Sequence, residues 1–155
     1  MSKNSYSETG QAEDMIRAYV QFGCAEIHAM GLFYKTNAEI ENGIIDVENA
    51  EAVSKHLEKL SQYQNDIDTY ANLRRGVMRK LFDMFDGDKD MWCEAKHLGI
   101  GAMTLFEAYE ASEDDADLLM MCIEANKAFV SAMSRFLGQE ITDCAACFSD
   151  MLKGE

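Results

Sequence analysis

The sequence predicts an all-α protein, an antiparallel up-down four-helix bundle with a short fifth helix at the C-terminus. Three observations carry this. The 155 residues contain no proline, a residue that turns use and helix interiors reject. Hydrophobic residues make up 48% of the chain and recur at the three- and four-residue spacing of a helix face. The breaks between periodic segments are short, and short connections make neighbouring helices antiparallel. The length suits one core rather than two. Residues 10–155 therefore read as a single helical-bundle domain, behind a flexible polar N-terminus over residues 1–9.

The first helix is expected from about Gln11 to about Asn37. Glu13 and Asp14 sit in its first turn, where the helix dipole favours acids. Its apolar face is Met15, Tyr19, Phe22, Met30 and Phe33. Glu41-Asn42-Gly43 breaks the pattern, and glycine suits the left-handed residue that ends a helix.

Asp46 then reads as the N-cap of a second helix. Three apolar rows follow at seven-residue spacing. Val53, Leu60, Ile67 and Leu81 form one, Leu57, Ala71, Met78 and Phe85 the next, and Tyr63, Tyr70, Val77 and Met84 the third. Three rows in seven make a broad bundle face rather than a coiled-coil seam. The helix reaches residue 85, with the polar run Ser61-Gln62-Tyr63-Gln64-Asn65-Asp66 as a place to kink. Asp86-Gly87-Asp88 is a turn. It is not a calcium loop, because placing Gly87 at the sixth position puts Phe82 and Met84 where carboxylates belong.

The third helix spans about Lys89 to Ala111, with Met91, Ala95, Leu98, Ala102, Leu105 and Tyr109 inward. Ser112-Glu113-Asp114-Asp115 resembles a capping box. It opens a fourth helix with Leu119, Cys122, Ile123, Asn126, Phe129, Met133 and Phe136 on its apolar side. Gly138 ends that helix, and the fifth is expected from about Glu140 to Leu152.

Charge narrows the functions. The chain has 14 basic and 28 acidic residues, a net −14. That argues against direct nucleic-acid binding, which needs a basic patch, and against an anionic membrane surface. It suits a basic partner, a cation, or imitation of a nucleic-acid backbone. The topology gathers Glu39, Glu41, Asp46 and Glu48 with Glu110 and the acids of 113–117 at one end of the bundle. Many of these are first-turn acids that complement helix N-termini. No apolar run approaches the ~20 residues of a membrane helix, and the N-terminal residues lack the apolar core of a signal peptide. With five cysteines, an odd number, a cytoplasmic protein with reduced thiols is expected. Cys144-Ala-Ala-Cys147 has no second pair to complete a zinc site. Eleven methionines suit irregular helix–helix gaps and adaptable binding surfaces.

Glu94-x-x-His97 places a carboxylate and an imidazole on one helix side. The spacing resembles half of the metal site of carboxylate-bridged di-iron and di-manganese bundles, which use two such motifs and two further glutamates. Here the motif occurs once, since Ala25 and Val53 precede the other two histidines, His28 and His56. His97 lies roughly 120° from the centre of its helix's apolar face and Glu94 roughly 60°. A second candidate pair is Glu26, amid the first helix's apolar face, and His56, near Leu60. A hairpin folded at 42–43 brings that pair to similar height. Glu26, His56, Glu94 and His97 are thus the candidate metal ligands. Arg74 and Asn126 are further polar residues on apolar faces, expected at the level of residues 97–100 in a buried network with Glu94.

No nucleophile–base–orienter set and no phosphate-binding glycine loop is visible. The expected function is a non-catalytic acidic helical binding protein: an adaptor, small chaperone or inhibitor of a protein partner, basic in character. No cofactor is expected, and self-association stays open. The alternatives are a ferritin-like metal-binding or oxidase bundle, holding iron or manganese on the four candidate ligands, and a nucleic-acid mimic that inhibits a basic nucleic-acid-binding protein.

Overall fold

The computed structural model describes residues 2–85 and 90–138, with side chains over 10–85 and 94–138. The protein is all-α: α1 (Ser2–Glu41), α2 (Ala50–Met84), α3 (Asp90–Glu110) and α4 (Ala116–Leu137). The expected fifth helix over 140–152, the Asp86-Gly87-Asp88 turn and Cys144-Ala-Ala-Cys147 lie outside the described residues. No helix among those described is long and apolar enough to cross a membrane.

The helices form two hairpins, α1 with α2 and α3 with α4. Backbones approach closely within each hairpin and much less between them. Large side chains fill the space between. Ile16, Tyr19 and Met30 of α1, Met78 and Leu81 of α2, Phe106 of α3 and Ile123, Phe129 and Met133 of α4 share one buried cluster. Tyr19 meets Phe129 edge-on, ring centroids 5.7 Å apart, and Phe85 meets Phe136 at 4.9 Å.

Helix starts follow capping chemistry. Asn49, not Asp46, caps α2: its side chain accepts from the Ala52 amide. Asp46 instead accepts from the Glu48 amide inside the connection. Asp115 caps α4 through the Asp117 and Leu118 amides, and Ser112 accepts the Asp115 amide. The turn before it passes through left-handed backbone at Glu113 (φ 58°) and Asp114 (φ 73°). There the Asp114 carboxylate accepts from the Tyr109 hydroxyl at 2.7 Å. Gly138 closes α4 at φ 68°. α2 is continuous through 61–66, because i,i+4 contacts such as Gln64 donating to Asp68 at 3.0 Å suit a polar run as well as a break would.

Gly99 marks the tightest packing between helices. A Cβ there would stand 2.9 Å from the Phe129 ring and 3.2 Å from the Phe82 ring. Gly99→Val is therefore expected to lower stability by about 1–3 kcal/mol through overpacking. Gly76→Ala, with open space around it, should raise it by up to about 1 kcal/mol. Thermal melts of the two variants side by side check this; equal shifts would mean that the rings move aside freely.

The hairpins differ greatly in length. α1 and α2 have 40 and 35 residues, α3 and α4 have 21 and 22. At 1.5 Å per residue the first pair spans about 50–60 Å and the second about 30 Å. The α3–α4 connection stops level with Tyr34, whose hydroxyl feels the Asp114 and Glu113 carboxylates. Beyond that level α1 and α2 continue without the other hairpin.

Candidate functional site

Two features stand out: a buried charge network between the hairpins and, next to it, the part of α1–α2 that extends past α3–α4. The network follows from two seven-residue rows. Glu26 continues the Tyr19 row of α1, and Arg74 lies in the Leu60–Ile67–Leu81 row of α2. Both are fully buried. Arg74 Nε donates to Glu26 Oε1 at 2.8 Å, and its Nη2 reaches Glu110 Oε2 at 3.3 Å. Arg75 Nη2 donates to Glu110 Oε1 at 2.6 Å. The Arg74 guanidinium lies 3.7 Å from the centre of the Phe106 ring, a cation–π stack. Above it the Tyr19 hydroxyl donates to Asn126 Oδ1, and Asn126 Nδ2 donates to the Cys122 carbonyl at 2.7 Å.

Charges out of water persist only when paired and hydrogen-bonded. The pairing here is incomplete: Glu26 Oε2 and Arg74 Nη1 are buried without a hydrogen-bond partner. Burial pushes the Glu26 carboxyl up, and the adjacent Glu110 carboxylate pushes it further, against the pull of Arg74, to about 8. These observations agree physically. A proton on Glu26 turns the unpaired oxygen into a donor toward Glu110, while the other oxygen still accepts from Arg74.

At the solvent edge of this network is a cavity of about 230 Å³, lined by Met30, Phe33, Ile67 and Ala71 and by polar Gln64, Asp68, Arg75 and Glu110 among others. It is smaller than the ≈ 300–1,000 Å³ of typical small-molecule sites. It has room for one long side chain.

From the cavity outward the hairpin becomes an arm. Two α2 rows show it. Ala71 and Met78 are 3% and 1% exposed, yet Leu57, two heptads before Ala71, is 56% exposed. Arg74 and Leu81 are buried, yet Leu60 and Ile67 are only half-buried. No α2 residue from Leu57 to Tyr70 is buried. On α1 the buried Tyr19 and Glu26 are followed in the same row by half-buried Phe33 and Ile40. Ile44 and Val47, in the connection, are 67% and 63% exposed.

The four candidate ligands are dispersed. Glu94 is exposed and ion-pairs with Arg135 at 3.2 Å, and His97 is exposed. Both therefore face solvent: His97 as its angular offset from the apolar face implied, Glu94 against the expectation of a buried network. Glu26 pairs with Arg74 rather than His56. His56 is buried on the arm, 3.7 Å from Glu39, and neither ring nitrogen has a hydrogen-bond partner. The register explains the exchange. The connection occupies residues 42–49, so Glu39 stands opposite His56 and Glu26 opposite Arg74. Among the described residues no three His, Cys, Asp or Glu side chains are grouped to hold a metal ion.

Arg74 and Asn126 were correctly singled out as polar residues on buried faces, but Glu94 belongs to neither of their contacts. Glu110, the shared acid, was placed instead with the acids at the bundle end. It lies one turn from Phe106, which is fully buried although the sequence pattern puts Leu105 on the inward face.

Both arginines of the network pair with carboxylates, and burial pushes the Cys122 thiol up to about 12, far from a nucleophile's range. Comparison of the chain with protein-family models, with curated proteins and with solved structures found no match.

Proposed function

We propose that the protein is a non-catalytic acidic binding protein that takes a protein partner on the arm, with the two hairpins closed behind it as an up-down bundle around the charge network. One observation carries this reading. The apolar rows of α1 and α2 run on past the end of α3–α4, and among the described residues no helix lies over them there: Ile40 and Leu60 stand half-buried and Leu57 exposed, while Phe33 and Ile67 mark the inner edge at the cavity. Scattered surface leucines need no explanation, but a continuous stripe beyond a packed core marks an interaction surface. The network supports the same reading, since it joins the hairpins at the base of the arm through Arg74 and Glu110.

A photo-crosslinking residue at position 57, on the arm, and another at exposed position 80, away from it, provide the test in a lysate of the source cells. The expected result is a discrete protein adduct at 57 and none at 80. Equal labelling at both positions, or none at 57, would overturn the reading.

A further inference from the structure

The geometry points to the kind of partner: a basic amphipathic helix laid along the arm, in the place α3 and α4 would fill if they were longer. This rests on the function proposed above and specifies its occupant.

The uncovered stripe is straight and continuous. From Ala50 to Ile67 α2 rises about 25 Å without a break, so it matches a helix of similar length better than a loop or a small ligand. Phe33 of α1 and Ile67 of α2 line one cavity, and Ile40 on α1 and Leu60 and Leu57 on α2 continue the apolar side outward along the two helices, a setting that suits i, i+3, i+4, i+7 anchors. At its inner end the cavity beside Ile67 and Phe33 has room for one long side chain, with Asp68 at its edge and Glu110 already shared by Arg74 and Arg75. A lysine fits such a place, its stem on the apolar wall and its head at Asp68.

Charge selects the occupant. Residues 35–68 hold eight acids against three lysines, and Lys55 is already engaged with Glu51 at 3.5 Å. Glu113 and Asp114 in the α3–α4 connection are exposed and lie near enough to α1 to act on the Tyr34 hydroxyl. A second copy of the chain, also at −14, would bring like charge to like charge, whereas a basic helix meets an acidic frame around an apolar floor.

The test uses the full chain and a synthetic peptide of about 18 leucine and lysine residues in amphipathic helical spacing, long enough to span the arm. A composition-matched scramble and a leucine–glutamate peptide of the same pattern are the controls. Calorimetry should show that the leucine–lysine helix binds, more weakly at high salt, and that both controls do not. Leu57→Asp with Leu60→Asp should weaken it about tenfold or more. Leu57→Asp alone, at an exposed position, keeps the test standing if the double variant does not fold. The added aspartates separate the explanations: attraction by charge alone predicts tighter binding to these variants, docking on the apolar floor predicts weaker.

Unchanged or tighter binding by the aspartate variants, or binding of the scramble, overturns the proposal. So does a concentration-dependent dimer dispersed by Leu57→Asp, which would make a second copy the occupant. If no peptide binds while the position-57 adduct still forms, the basic helix is wrong and the arm as a binding site stands.

Discussion

Arg74→Met is expected to lose about 3–5 kcal/mol of folding stability, the range for breaking a buried ion pair by removing one partner. For a domain whose total stability lies near 5–15 kcal/mol, that approaches unfolding. Methionine fills much of the volume but donates nothing. Glu26 Oε1 and Glu110 Oε2 each lose a hydrogen bond, Phe106 loses its cation, and two neighbouring acids are left with Arg75 alone. Arg75→Met is the control. Arg75 is partly exposed and Glu110 would keep Arg74, so a loss below about 1 kcal/mol is expected. The double variant Glu26→Leu, Arg74→Met should recover a large part of the loss, since an apolar pair replaces both charges. Urea unfolding of the four proteins decides. Equal losses for the two arginine variants would mean that the network is not the bond between the hairpins.

The second large effect is on the pH dependence of stability. Glu26 titrates at about 8 in the folded protein against an ordinary value of 4.5. Between those values the folded state holds a proton that the unfolded state has released. Stability from this group is therefore complete below pH 4.5 and is lost as pH rises through 8, with a slope of at most about 1.4 kcal/mol per pH unit. Glu26→Gln removes the titration while imitating the protonated form: its carbonyl accepts from Arg74 and its amide donates toward Glu110. The stability of the glutamine variant relative to the parent should thus grow steadily from pH 5 to pH 8 and level off above. Because all other titrations are shared, the difference isolates Glu26. Parallel curves would show that Glu26 titrates alike in the folded and unfolded states.

Much of this fold was legible in the sequence, for reasons that also explain what was not. Glycine and polar caps mark the ends of α2 and α4 within a few residues, whereas α1 starts at Ser2, nine residues before the expected Gln11 and with no acid in its first turn. The offset at α2 came from two competing caps, Asp46 and Asn49, three residues apart. Glu26, Arg74 and Asn126 stood out because polar groups on apolar stripes must be accounted for. Their partners did not, because pairing across a hairpin depends on how far the connection carries the second helix, and residues 42–49 contain no signal of that distance. Glu94 and His97 show the converse: correct spacing for a ligand pair, but His97 is turned to water by its angle and Glu94 is drawn to Arg135. The arm was hidden altogether. The heptad rows of α2 run from Leu57 to Leu81 with only Gln64 and Arg74 interrupting them, and periodicity records an apolar side without recording whether anything lies on it.

The left-handed turn at Glu113 and Asp114, anchored to Tyr109, sets more than a boundary. It decides where the shorter hairpin reverses and hence how much of the longer one stays bare. Had α3 and α4 each run on for about two more heptads, roughly 20 Å, the result would be an ordinary closed bundle of equal helices. In engineering terms the turn is a length gauge: moving it along the sequence would lengthen or erase the proposed docking stripe without altering a residue of α1 or α2.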